Sequence, residues 1–202
     1  ERAQLEKLRT VIDQDITAYG EELDRLDLDL RSPTVTDQTR TDYGRALDLY
    51  ESAKQQTVDA KHPEDVQSVT TALEEGRYLL VKVEAESAGR PVPERRPPCF
   101  FDPRHGPSTE DVEWSPPMGM PRLVPACAAD ATRIKEGAEP DVRMVPVGGR
   151  DRPYYEAGGA YGPWAGGYFS GGLLPGLFWG TVIGSSWTAK TPVSAVEAVT
   201  KL

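Results

Sequence analysis

Val66-Gln-Ser-Val69-Thr-Thr-Ala-Leu73-Glu-Glu-Gly76-Arg-Tyr-Leu-Leu80-Val-Lys-Val83 decides how this chain begins to fold. Val66, Val69, Leu73, Gly76, Leu80 and Val83 recur at alternating three- and four-residue steps, which places them on one narrow stripe of an α-helix. His62-Pro63-Glu64-Asp65 precedes the stripe as a helix start, with proline in the first turn and acids at the positive end of the helix dipole. Upstream, Tyr43, Leu47, Tyr50, Ala53 and Thr57 form a second stripe. Leu5, Leu8, Ile12, Tyr19, Leu23, Leu26 and Leu30 form a first, interrupted near Asp15 and Ile16, and Ser32-Pro33 separates the two. Narrow stripes joined by short connections predict an antiparallel three-helix segment over residues 1–89, packed as a bundle or coiled-coil hairpin. Isolated helices of this length are marginal in water, so mutual packing has to hold them. Their outer faces suit either a self-contained bundle or a dimerisation arm.

Charge narrows the classes of function. Residues 1–90 carry 12 Lys+Arg against 20 Asp+Glu, and the whole chain has a net charge of −9. Nucleic-acid binding rests on clustered Lys and Arg, so an acidic helical half argues against it. The chain opens at Glu1 inside a helical pattern with no signal-peptide signature, and reads as a piece of something longer. Two cysteines are too few for a disulfide framework.

Gly89 closes the third helix, and Arg90-Pro-Val-Pro-Glu-Arg-Arg-Pro-Pro98 reads as a stiff linker over 90–98. Residues 99–156 change character. Glu110–Trp114 and Arg122–Ala126 read as strands around a Pro116–Pro121 turn, followed by a short helix from Cys127 to Ile134 ended by Gly137. Val142–Val147, Gly148-Gly149 and Arg152–Glu156 read as a second hairpin. Cys99-Phe-Phe-Asp-Pro-Arg-His105 lies before the first hairpin and Cys127-Ala-Ala-Asp130 after it. Zinc takes four N, S or O ligands in a tetrahedron, and Cys99, His105, Cys127 and Asp130 offer S, N, S and O.

Loop, hairpin and a helix offering ligands at i and i+3 resemble a treble-clef or zinc-ribbon module over about 40 residues. The segment departs from that pattern in lacking a C-x-x-C pair in the first loop, and in placing Asp130 where a second helix cysteine would stand. Three readings therefore stand side by side: zinc held by the four residues, a Cys99–Cys127 disulfide in its place, and a metal-free remnant with both thiols packed beside Phe100, Phe101 and Trp114. A Cys99/His105 nucleophile would need an orienting third group, and no catalytic residues are assigned.

Leu73-Glu-Glu-Gly-Arg-Tyr78 and Pro97-Pro-Cys-Phe-Phe-Asp-Pro-Arg-His-Gly-Pro-Ser108 resemble the C-terminal portion of uncharacterised actinobacterial membrane- or envelope-associated proteins, over most of residues 45–180. That resemblance implies a bacterial protein near a membrane and transfers no catalytic residues.

Residues 157–202 form a glycine- and aromatic-rich tail with a short C-terminal segment. No charged residue falls between Ala157 and Ala189, and Gly172, Gly176, Gly180 and Gly184 return at every fourth position. A four-residue glycine step allows close backbone approach on one helix face, and aromatic residues such as Trp164 and Trp179 suit a membrane or partner interface. The same aromatics would also serve to cover the preceding module.

The expectation is an α+β chain: a helical bundle, a hairpin-rich treble-clef-like module and a tail. The expected function is a non-enzymatic structural or interaction protein of a bacterial envelope, docking to a membrane or protein partner through the tail and the acidic helices. The alternative is a cytoplasmic zinc-stapled protein-binding module with a helical dimerisation arm.

Overall fold

A computed structural model describes residues 1–170, apart from Asp27 and Met118. The fold is α+β. Helices α1 (Arg2–Arg25), α2 (Asp37–Asp59) and α3 (Val66–Ser87) run up, down and up, followed by strands β1 (Glu110–Trp114) and β2 (Arg122–Ala126) and helix α4 (Ala128–Lys135). Strands β3 (Met144–Val147) and β4 (Arg150–Pro153) come next, and α5 (Gly162–Tyr168) closes the described chain.

The third stripe forms as spaced: Val66, Val69, Leu73, Gly76, Leu80 and Val83 are all buried. Asp65 anchors its entry by accepting hydrogen bonds from the Lys61 and His62 backbone N–H groups at 2.8 and 2.9 Å. Thr36 caps α2 by accepting the Thr39 N–H, and pairing of Thr39 with Glu86 and of Asp42 with Lys82 sets α2 antiparallel to α3. Tyr19 crosses from α1 to donate to the Ala46 carbonyl at 2.9 Å. It passes over Gly76, where any Cβ would overlap the phenol.

Two stripes differ in detail from their expected extent. Helix α1 ends at Arg25 and leaves Leu30 exposed, and Leu47 stands outward because Ala46 and Ala53 make the inner face of α2. The interruption at Asp15 and Ile16 is no break, since both residues are buried within α1.

Asp15 is fully buried. One carboxylate oxygen accepts from Arg143 Nη2 at 2.9 Å, the other from Trp164 Nε1 at 2.7 Å and the Tyr168 hydroxyl at 3.0 Å. Arg77 donates to the Asp15 carbonyl at 3.1 Å and pairs with Glu22. Burial pushes the Asp15 carboxyl up, against the pull of Arg143 and Arg77. These contacts join α1, α3, the segment before β3, and α5.

Helix α5 can approach α3 closely because Gly167 has no side chain; a Cβ there would overlap the Thr70 hydroxyl and the Gln67 carbonyl. Trp164, expected at a docking surface, instead points into the chain's own core and is fully buried. Its indole N–H has to be satisfied in an apolar setting, and Asp15 satisfies it. Gly172, Gly176, Gly180, Gly184 and Trp179 lie outside the described residues. No helix among the described residues is long and apolar enough to cross a membrane.

The first hairpin forms from the two expected strands, with Val112 opposite Val124 and Trp114 opposite Arg122. In the second, Gly148 and Gly149 (φ +58° and +80°) make the two-residue turn between β3 and β4. The strand expected to reach Glu156 stops at Pro153, where Tyr154–Glu156 turn into a 3₁₀ helix and bury Tyr154. Tyr154, Tyr155 and Phe169 then join Phe100 and Trp114 in one aromatic cluster, with centroid separations of 5.4–6.4 Å around Phe100. The proline-rich joint is strapped to its neighbours: Arg95 lies over Tyr78 and pairs with Glu74, and Arg96 pairs with Asp111.

Gly76→Leu should lower stability by about 1–3 kcal/mol, because Tyr19 has nowhere to retreat; thermal unfolding measures it. Asp15→Asn should cost about 3–5 kcal/mol in urea unfolding, because it leaves the buried Arg143 without a counter-charge.

Candidate metal centre

The segment Pro97–Ser108 is folded back on itself by its own backbone. Cys99 N–H donates to the Gly106 carbonyl at 2.9 Å and Ser108 N–H to the Pro97 carbonyl at 2.9 Å. Asp102 caps the 3₁₀ turn Pro103–His105 by accepting the Arg104 N–H, and the turn swings His105 back toward Cys99. Phe100 N–H then donates to the Pro125 carbonyl of β2 at 2.8 Å. That bond docks the loop beside the end of the hairpin, where Cys127 begins α4. Cys127 occupies the N-cap, its sulfur accepting the Asp130 N–H, and Asp130 follows by the i, i+3 step that puts both on one face.

The structure brings together all four residues expected as ligands. One sulfur, nitrogen or oxygen from each of Cys99, His105, Cys127 and Asp130 lies within 4.8 Å of the others. Asp130 Oδ2 is the common point: it lies 3.3 Å from Cys99 Sγ, 3.4 Å from Cys127 Sγ and 3.0 Å from His105 Nδ1. Cys127 Sγ is 3.8 Å from His105 Nδ1. A zinc ion with bonds of about 2.3 Å to sulfur and 2.0–2.1 Å to nitrogen or oxygen sets tetrahedron edges of about 3.3–3.8 Å. These four separations fall on or near those edges, and Cys99 Sγ lies within 4.8 Å of the Cys127 sulfur and the His105 ring nitrogen, so the group could hold a metal ion. Both cysteines are free thiols, with Cys99 buried and Cys127 partly exposed.

The atoms behind the four are also arranged. The far oxygen of Asp130 accepts the Asp141 N–H at 2.8 Å and Arg133 Nη1 at 3.2 Å, which turns Oδ2 toward the sulfurs. His105 Nε2 faces the Asp141 carboxylate at 3.6 Å, leaving Nδ1 for the cluster. A carboxylate close to the second nitrogen of a histidine is a common neighbour of a metal ligand, and at 3.6 Å this one acts by charge and not as a hydrogen bond. Asp141 and Arg133 escaped the sequence reading. Arg133 lies one turn beyond Asp130, whereas Asp141 reaches the cluster only by the turn after α4.

Without metal, the protons are shared unevenly. A hydrogen bond from Cys99, with further ones from His105 and the Asp130 N–H, holds the Cys127 thiol well below its ordinary range. The same bond to Cys127, together with burial, holds the Cys99 thiol up. His105 is raised to about 9, first by its hydrogen bond with Cys127 and then by the charges of Asp102 and Asp130. Burial works against the Asp130 charge, but the Asp141 N–H and the Cys99 thiol outweigh it and keep the carboxylate low.

Near neutral pH the metal-free cluster thus carries one proton on Cys99 and one on His105, and a bound metal displaces both. Zinc binding at pH 7.5 should release about two protons per ion. Calorimetry in buffers of different ionisation enthalpy measures that number, and affinity should fall on acidification because both protons compete with the metal. Comparison with protein-family models, curated proteins and solved structures gives no match for this chain.

Proposed function

We propose that this chain is a non-enzymatic, zinc-stapled interaction module. The observation that carries the reading is the convergence of one ligand atom from each of Cys99, His105, Cys127 and Asp130 within 4.8 Å, with Asp130 Oδ2 in contact with the other three. Four protein ligands complete a tetrahedron and leave no open position for substrate or water, which is the mark of a structural rather than a catalytic zinc site. The metal would tie the loop 98–107 to the first turn of α4, two pieces otherwise joined through the β1–β2 hairpin. Surface depressions at Asp13, Gln14, Thr17, Glu21 and Arg104, and at Glu74, Arg77 and Pro98, are lined by none of the four ligands.

The helical half of the chain, residues 1–90, is acidic, with 20 Asp+Glu against 12 Lys+Arg, which suits a protein partner of opposite charge and disfavours nucleic acid. A place at a membrane, expected from the uncharged run Ala157–Ala189, turns largely on residues beyond Ser170.

The test is metal content and its effect on folding. The full chain, purified with zinc present, should hold one zinc per chain by elemental analysis. A chelator should lower its thermal midpoint, and Cys127→Ser should abolish both the zinc and the shift. At free zinc 1,000-fold above the dissociation constant, the bound ion should add about 4 kcal/mol to unfolding. A chain that takes up no zinc and melts identically with and without chelator would overturn the proposal.

A further inference from the structure

The two sulfurs of the cluster are neighbours, and they differ in access. Cys99 Sγ and Cys127 Sγ both contact Asp130 Oδ2, at 3.3 and 3.4 Å, and lie within 4.8 Å of each other. Cys127 is partly exposed, whereas Cys99 is buried and touches the same carboxylate oxygen. A small oxidant therefore reaches Cys127 first, and the thiol able to resolve the product is already in place.

We infer that Cys99 and Cys127 form a peroxide-sensitive switch in which a disulfide replaces the metal as the staple; this rests on the metal reading above. The Cys127 thiolate attacks a peroxide oxygen, so that an S–O bond forms, the O–O bond breaks, and the departing hydroxide takes up a proton to leave as water. The Cys99 thiolate then attacks the Cys127 sulfenic sulfur, so that the S–S bond forms, the S–O bond breaks, and a second hydroxide is protonated to water. Two electrons pass from the two sulfurs to one peroxide, and two protons come from solvent. The zinc ion loses both soft ligands, and His105 with Asp130 makes too poor a site to keep it.

The surrounding structure is built to survive this exchange. Asp130 keeps the Asp141 N–H and Arg133, and the loop keeps its Cys99–Gly106 and Phe100–Pro125 backbone bonds, none of which passes through the metal. Expulsion of the ion therefore leaves the fold standing and changes only how loop and helix are fastened.

The experiment uses the full chain loaded with zinc and titrated with hydrogen peroxide. Released zinc is followed with a chromophoric chelator, the Cys99–Cys127 cross-link by peptide mass, and helix content by far-UV circular dichroism. Zinc and disulfide should appear one for one, helix content should hold, and a dithiol reductant with added zinc should restore the starting state. In Cys99→Ser, oxidation should stop at a Cys127 sulfenic acid that dimedone traps. Zinc that stays bound under excess peroxide, or leaves with the cysteines over-oxidised and not cross-linked, overturns the switch but not the metal site. A chain that never takes up zinc overturns both.

Discussion

A single buried carboxylate holds the distant parts of this protein in one arrangement. Asp15 sits on the inner face of the first helix, where burying a charge is costly unless the charge is paired and hydrogen-bonded. Its side chain meets that condition through Arg143, Trp164 and Tyr168, each more than 120 residues away in sequence. Every one of these donors is itself buried and needs an acceptor. The requirement is mutual: α5 must lie against α1 and α3, and the segment before β3 must reach α1, or several polar groups are left unsatisfied together. The close crossing of α5 over Thr70 at Gly167 and the passage of Tyr19 over Gly76 are the steric conditions that let the network close.

The cluster of Cys99, His105, Cys127 and Asp130 solves a different problem on the same scaffold. Residues 99–156 form two two-stranded hairpins and one eight-residue helix, too little regular structure to bury a large core unaided. Part of the deficit is met by aromatic side chains from Tyr154 to Phe169 folding back on Phe100 and Trp114. The rest falls to the cluster around Asp130, where two thiols, an imidazole and a carboxylate hold one another even without an ion. Cross-linking of this kind is how small, loop-rich units compensate for a thin core, whether the link is a metal or a disulfide. The peroxide-sensitive exchange proposed for Cys99 and Cys127 follows from both links being available to the same pair of sulfurs.

Local signals carried much of the architecture. The spacing of Val66 to Val83 marked a buried helical stripe, and Glu110–Trp114 with Arg122–Ala126 marked a hairpin whose ends agree with the structure. The candidate ligand set was legible because Cys127 and Asp130 share a helix face and Cys99 and His105 share one tight loop, both short-range relations. Asp15 was visible only as a gap in an apolar pattern. A polar residue in such a stripe is ambiguous, since a gap and a buried, satisfied carboxylate look alike until the donors are known. Trp164 raised the same difficulty in reverse: an indole in an uncharged run suits an interface and a core equally well, and an acceptor more than 100 residues away settles the matter.

Periodicity, turn chemistry and residue spacing act over a few residues, so composition and order alone define the three helices, the two hairpins and the four candidate ligand residues. Satisfaction of buried donors, close helix crossings and the orientation of Asp130 by Asp141 and Arg133 act through space between segments far apart in the chain. Those long-range constraints set that Asp15 belongs to the inner face of α1, where the aromatics of 154–169 are spent, and that two cysteines, a histidine and an aspartate meet at one point.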